Sequence, residues 1–94
     1  MNNCELIDEA VENDNFEAAY KSAEYISDYV DSKKPLLSSI LDHGNIDEIE
    51  KEVSELLGYT KKQDKINSAV SIKKLQHMLE HLPENYALRL QNIL

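Results

Sequence analysis

The sequence predicts an all-α fold, an antiparallel up-and-down bundle of four main helices plus one or two short ones. Three observations carry this. Good helix formers such as Glu, Lys, Ala and Leu dominate. Only two Gly and two Pro occur in 94 residues, which leaves few turns. Apolar residues recur at alternating steps of three and four in successive segments. The length fits one domain, residues 1–94, with a thin core and little room for a deep pocket.

The elements follow from their start and stop signals. Asn3 is the expected cap of a first short helix with Leu6, Ile7, Ala10 and Val11 on its apolar face. Asp14, with Glu17 three residues later, reads as a capping box that opens a second helix at about Asn15. Its stripe is Phe16, Ala19, Ala23, Ile26 and Val30, and Tyr25 and Tyr29 lie on an adjacent face. Ser32 to Pro35 mark a break or a kink. Proline is tolerated at a first helical position, so a helix starting at Pro35 is expected, with Leu36, Leu37, Ile40 and Leu41 on its apolar face. Gly44 ends that piece and Asn45 with Glu48 opens the next; the alternative is one kinked helix through residues 35–62.

The following stripe is Ile46, Ile49, Val53, Leu56 and Leu57, closed by Gly58 and the polar run Thr60 to Gln63. Asp64 opens another helix. Its early apolar set (Ile66, Ala69, Val70) and late set (Ile72, Leu75, Leu79, Leu82) point to opposite sides at about 100° per residue. It is therefore expected to meet different neighbours at its two ends. Pro83 stops it, and Glu84 to Leu94 form a last helix. A weak repeat at a spacing of fifty pairs Asp14, Phe16 and Ala19 with Asp64, Ile66 and Ala69, which reads as two similar helical hairpins.

The net charge of −8 sits wholly in residues 1–47, with eleven acidic residues against three lysines; residues 48–94 hold seven of each sign. Such a surface disfavours nucleic acid and anionic lipid and suits a basic protein partner or plain solubility. One cysteine, Cys4, allows neither an intrachain disulfide nor a CxxC motif. No apolar run approaches the ~18 residues of a membrane span, so insertion of this segment is not expected.

The sharpest chemical pattern is His77, Glu80 and His81, in the H-x-x-E-H order of inverted zinc peptidases. Two histidines at i and i+4 on a helix can share a metal. A catalytic site also needs a distant third ligand and a cleft. Few residues follow His81, and His43 sits in an expected turn beside Gly44, so solvated histidines are the favoured reading and no metal or cofactor is assigned. Asp42–His43 lacks the surroundings of a phosphotransfer histidine, and Glu48, Glu50, Glu52 and Glu55 lack the E-x-x-H partners of a di-iron bundle. With two glycines and no strand-to-helix elbow, no nucleophile with an oxyanion hole can be read.

An interaction surface is the remaining candidate: Tyr25, Tyr29, Leu90, Ile93 and Leu94. Aromatic residues are enriched at interfaces. The apolar C-terminus must dock on its own bundle, pair with a second copy as a homodimer, or meet another partner.

The run Leu37, Ile40, Asp42, His43, Ile46, Asp47 and Ile49, with Leu56, Tyr59, Asp64, Ala69 and the ending Leu90, Asn92, Ile93, Leu94, resembles an uncharacterised family of short helical proteins of clostridia and related Gram-positive bacteria. Ile7 through Asn13, Phe16 and Ala19 fit as well, so the resemblance covers nearly the whole chain. The family pattern tends to have a tryptophan in the second helix, for which Tyr29 stands here. The resemblance implies an N-terminal apolar anchor, and no activity or catalytic residue. The expectation is therefore a non-enzymatic interaction or scaffold domain, the soluble part of a membrane-anchored protein outside the cytoplasm. The alternative is a cytosolic adaptor or bacteriocin-immunity-like protein.

Overall fold

The computed structural model describes residues 2–83, 86, 90, 93 and 94. Among them the regular elements are four α-helices and no strand: α1 (Asn3–Glu12), α2 (Phe16–Ile40), α3 (His43–Lys61) and α4 (Lys65–Glu80). The helices contact in a closed ring, α1 on α2, α2 on α3, α3 on α4 and α4 on α1. The longest dimension, 37 Å, is what the 25 residues of α2 span at about 1.5 Å each. Among the described residues no helix is long and apolar enough to cross a membrane.

The break expected at Ser32–Pro35 is absent, and no helix starts at Pro35. α2 runs through this proline. Proline lacks the N–H that would bond the carbonyl four residues back, which costs a buried helix about 3 kcal/mol. Here residues 31–36 are all exposed, so the freed Asp31 carbonyl can be hydrated. The chain breaks instead at Leu41 and Asp42, both extended. Asp42 precedes α3 without a side-chain cap bond, and Gly44 and Asn45 lie inside its first turn rather than ending one helix and opening another. The question of one kinked helix or two over residues 35–62 is thus answered by neither form: residues 35–40 finish α2, and α3 is a separate helix.

Other boundaries also shift. Asn2, not Asn3, caps α1, its side chain accepting from the Glu5 N–H. Asn15 rather than Asp14 caps α2, accepting from the Ala18 N–H. Gly58 lies within α3, which continues to Lys61. Leu6 faces outward, 41% exposed. Asp64 caps α4 as expected, and its carboxyl is held below its ordinary range by the Asn67 backbone N–H and then the Asn67 side chain.

The two turns between paired helices are copies of one another. After α1, Asp14 adopts φ 58°, and after α3, Gln63 adopts φ 57°. In the first turn Asp14 N–H donates to Val11 O and Asn15 N–H to Ala10 O; in the second, Gln63 N–H donates to Thr60 O and Asp64 N–H to Tyr59 O. Both are Schellman motifs, closed by a left-handed residue that is usually glycine. Corresponding positions lie 49 apart, as Asn15 and Asp64 do, not 50. The same offset carries the buried positions Cys4, Ile7 and Val11 onto Val53, Leu56 and Thr60. It carries Ala19, Ala23, Ile26 and Val30 onto Ser68, Ile72, Leu75 and Leu79. The two halves of the chain, α1–α2 and α3–α4, share one burial register.

That register corrects the reading of α4. Ile66 and Val70 do not pack on a neighbour; they are 78% and 48% exposed. Ser68 and Ser71 take the inward places. Small side chains there suit a close approach between helices, and Ser71 Oγ donates to Glu52 Oε2 of α3 at 2.7 Å. Thr60 Oγ1 bonds back to Leu56 O at 2.8 Å. Ser68 Oγ is buried without a hydrogen-bond partner among the described residues. The early part of α4 therefore meets its neighbours through Ser68 and Ser71, which the apolar pattern could not show, together with the partly buried Ala69 of the expected set.

Most of the predicted last helix, Glu84 to Leu94, lies outside the described residues. Of those described, Tyr86, Leu90 and Ile93 are helical, while Leu90 and Leu94 are buried. The Leu94 carbonyl accepts from the Cys4 N–H, and the Ile93 carbonyl accepts from Asn3 Nδ2 at 2.8 Å. The first turn of a helix has N–H groups without intrahelical partners. The C-terminal residues satisfy one of those of α1 and bury Leu94 beneath it.

Candidate interaction surface

Because α2 is continuous through Pro35, its outer face carries one unbroken row: Tyr25, Tyr29, Lys33, Leu36 and Ile40, at steps of four and three. The inner face is taken by Ala19, Ala23, Ile26, Val30 and Leu37. Tyr25 is 53% and Leu36 58% exposed, whereas Tyr29 and Ile40 are half-buried. Along the lower part of this row runs a cleft of about 600 Å³. Tyr29, Lys33, Leu36, Leu37 and Ile40 form its α2 wall, and Tyr86, Leu90 and Ile93 of the C-terminal segment form the other. Ligand clefts of roughly 300–1,000 Å³ with mainly apolar walls and few polar groups are typical binding sites.

Lys33 is the one charged residue lining this cleft among the described residues. Lys21, Lys34, Lys65 and Lys73 make ion pairs with Glu17, Glu50, Asp14 and Asp8. No such pair involves Lys33 among the described residues. Lys33 lines an otherwise uncharged cleft, among the described residues, in the half of the chain that carries all the net negative charge.

Of the five surface residues expected from sequence, three line the cleft, Tyr29, Leu90 and Ile93, and of these Leu90 is itself a buried core residue. Tyr25 is one turn further along the same row and does not line the cleft. Leu94 is 1% exposed and belongs to the core. The sequence reading missed Lys33, Leu36 and Ile40. Their signal was the four-three spacing from Tyr25 onward, which is visible only if the helix is carried through Pro35.

The other candidates are placed apart from this cleft. His77 and His81 are exposed, with ring centroids 4.0 Å apart, and His81 Nδ1 lies 2.9 Å from the His77 carbonyl. They line a separate depression with Asn45, Glu48 and Met78. Glu80 is exposed and does not line it. Among the described residues no three His, Cys, Asp or Glu side chains are grouped to hold a metal ion. Burial pushes the Cys4 thiol up to about 12, with Glu5 adding to the shift. That is opposite to the activation a nucleophilic thiolate requires.

The profile of a domain of unknown function, DUF4363, matches residues 1–93. The chain belongs to the DUF4363 family. No curated protein and no solved structure matches it. For this DUF4363 domain the family carries no site residue or activity across, so the surface rests on its own geometry.

Proposed function

We propose that this DUF4363 domain is a non-catalytic interaction module whose partner docks along the lower outer face of α2. The observation that carries this is Leu36: a leucine 58% exposed on one wall of an apolar cleft of about 600 Å³. Scattered exposed apolar residues are ordinary, but a contiguous patch with a polar rim marks an interaction site. The polar groups at hand point the same way. The buried ones serve helix packing, as in the Glu52–Ser71 bond, and the single thiol is held in its neutral form.

The same reading takes the four helices as an antiparallel up-and-down bundle. Two cross-links support it: Lys73 pairs with Asp8 at 3.2 Å and Lys65 with Asp14 at 3.1 Å, so position rises along α1 as it falls along α4. The three-residue Schellman turns fit helix pairs that reverse direction. In such a frame the α2 face is rigid, and a partner meets a preformed surface.

The test is a photoreactive amino acid placed at Leu36 in the native host, with Ile66 as control. Ile66 is the more exposed of the two, at 78%, and lies on α4. A discrete adduct from position 36 that position 66 does not give supports the module. Equal patterns from both, or no adduct from position 36, would remove it.

A further inference from the structure

We infer that the occupant of the α2 cleft is an amphipathic helix of a partner protein, about three turns long, carrying a carboxylate beside its central apolar anchor. This rests on the docking reading above and deepens it. Tyr29 to Ile40 spans about 16 Å along α2 at ~1.5 Å per residue, which is three helical turns. Helices recognised in grooves present anchors at i, i+4 and i+7 over that length.

The position of Lys33 fixes the chemistry. It lies between Tyr29 on one side and Leu36 and Ile40 on the other, so the cation is flanked by apolar wall at both ends. A single-chain anionic amphiphile carries its charge at one end and would leave one side of the cleft unfilled. A helix with an acidic residue next to a middle anchor places apolar groups on both sides of the charge. An ammonium without an ion-pair partner among the described residues, facing that position, favours Glu or Asp and penalises Lys or Arg.

A second copy of the chain does not fit. Among the described residues, the large exposed apolar side chains outside the cleft are Tyr25, Leu6 on α1, and Ile66 with Val70 on α4. Leu6 stands alone among acidic residues. Ile66 and Val70 make two anchors, not three, and Lys65 and Lys73 beside them are already paired with Asp14 and Asp8. Cleft against cleft, as in a two-fold dimer, would set Lys33 of one copy against a face that no carboxylate lines among the described residues.

The experiment is a display library of twelve-residue helices selected against the full chain. Leu or Phe is fixed at i, i+4 and i+7, and the remaining positions are randomised among Glu, Lys, Gln and Ala. A parallel selection uses K33E; both lysine and its replacement are exposed, and a thermal melt confirms that the variant is folded. Winners against the natural chain should carry Glu beside the central anchor, and winners against K33E should carry Lys there. Each should prefer its own target by about 2–5-fold, the range of an exposed ion pair, and L36E should abolish both. Winners that need Leu36 but show no charge preference would overturn the inference and leave the docking reading standing. If no winner depends on Leu36, both fall. Displacement of winners by submicellar dodecyl phosphate, with the same Lys33 dependence, would assign the cleft to an anionic lipid and overturn the helix.

Discussion

Replacing Ser68 by alanine should make the protein more stable, although Ser68 is completely buried in the helix packing. The residue is 0% exposed and its hydroxyl has no hydrogen-bond partner among the described residues. A buried hydroxyl left unpaired costs about 1–3 kcal/mol, and alanine is favoured over serine in a helix interior by about 0.5 kcal/mol. The volume lost is one oxygen atom, so the opposing cavity cost is small. The net expectation is a gain of about 1–2 kcal/mol. In a domain of this size each kcal/mol moves Tm by roughly 4–8 °C. The internal repeat supplies the reciprocal experiment. Ala19, also 0% exposed, is the counterpart of Ser68, so Ala19→Ser should introduce the same unpaired hydroxyl and lower Tm comparably. Ser71→Ala should likewise lower it, because that hydroxyl donates to the Glu52 carboxylate, a bond worth about 1.5–3 kcal/mol. Melts followed by circular dichroism separate the three. A fall of more than about 4 °C for Ser68→Ala would show that its hydroxyl is bonded, and the sorting of buried polar groups by partner would fail.

Gln63→Gly should stabilise the chain by roughly 1 kcal/mol, since a non-glycine residue pays about that in the left-handed region and Gln63 sits there at φ 57°; urea unfolding checks it. Cys4 has a thiol raised by burial from 9.0 to about 12, so the unfolded chain releases its proton first. Its stabilisation is complete below pH 9.0 and is lost as pH rises toward about 12, at up to ~1.4 kcal/mol per pH unit. Cys4→Ala should lack that part of the alkaline slope in a pH series of unfolding curves. Asp64 is shifted the other way by its cap bonds to Asn67. Its contribution is present above about pH 3.9 and lost as pH falls through its depressed value. Asp64→Asn, which mimics the neutral cap Asn15 of the first half of the chain, should flatten the acid limb of the same series.

The sequence shows those parts of the fold in which apolar side chains do the packing. Ala19, Ala23, Ile26 and Val30 mark the buried face of α2 at helical spacing, as Ile46, Ile49, Val53 and Leu56 mark that of α3. It misleads where other chemistry decides. Pro35 reads as a breaker because an interior proline forfeits a bond, but on a solvated face water replaces that bond. Ile66 and Val70 read as core because they are apolar, but the inward places of α4 go to Ser68 and Ser71. Aligning the two halves on their caps, Asn15 with Asp64, would have found this, since it sets Ala19 over Ser68 and not Ala69. The turns were hard to place because their left-handed residues are Asp14 and Gln63 rather than glycine. The candidate surface was half legible for the same reason as Pro35. Tyr29 stood out as an aromatic residue on an adjacent helix face, and Leu90 and Ile93 as part of an apolar C-terminus. Leu36 and Ile40 were given to the core of a helix that does not begin there.

The most direct test is the thermal melt of Leu36→Glu. A residue kept apolar for a partner contributes nothing to the fold, and exposed substitutions change stability by no more than about 0.5 kcal/mol. The melt should therefore stay within roughly 2–4 °C of the natural chain, while Leu37→Ala, on the buried face one residue away, lowers it by several times that. A loss for Leu36→Glu as large as that for Leu37→Ala would mean that the cleft belongs to the closed core and has no partner to meet.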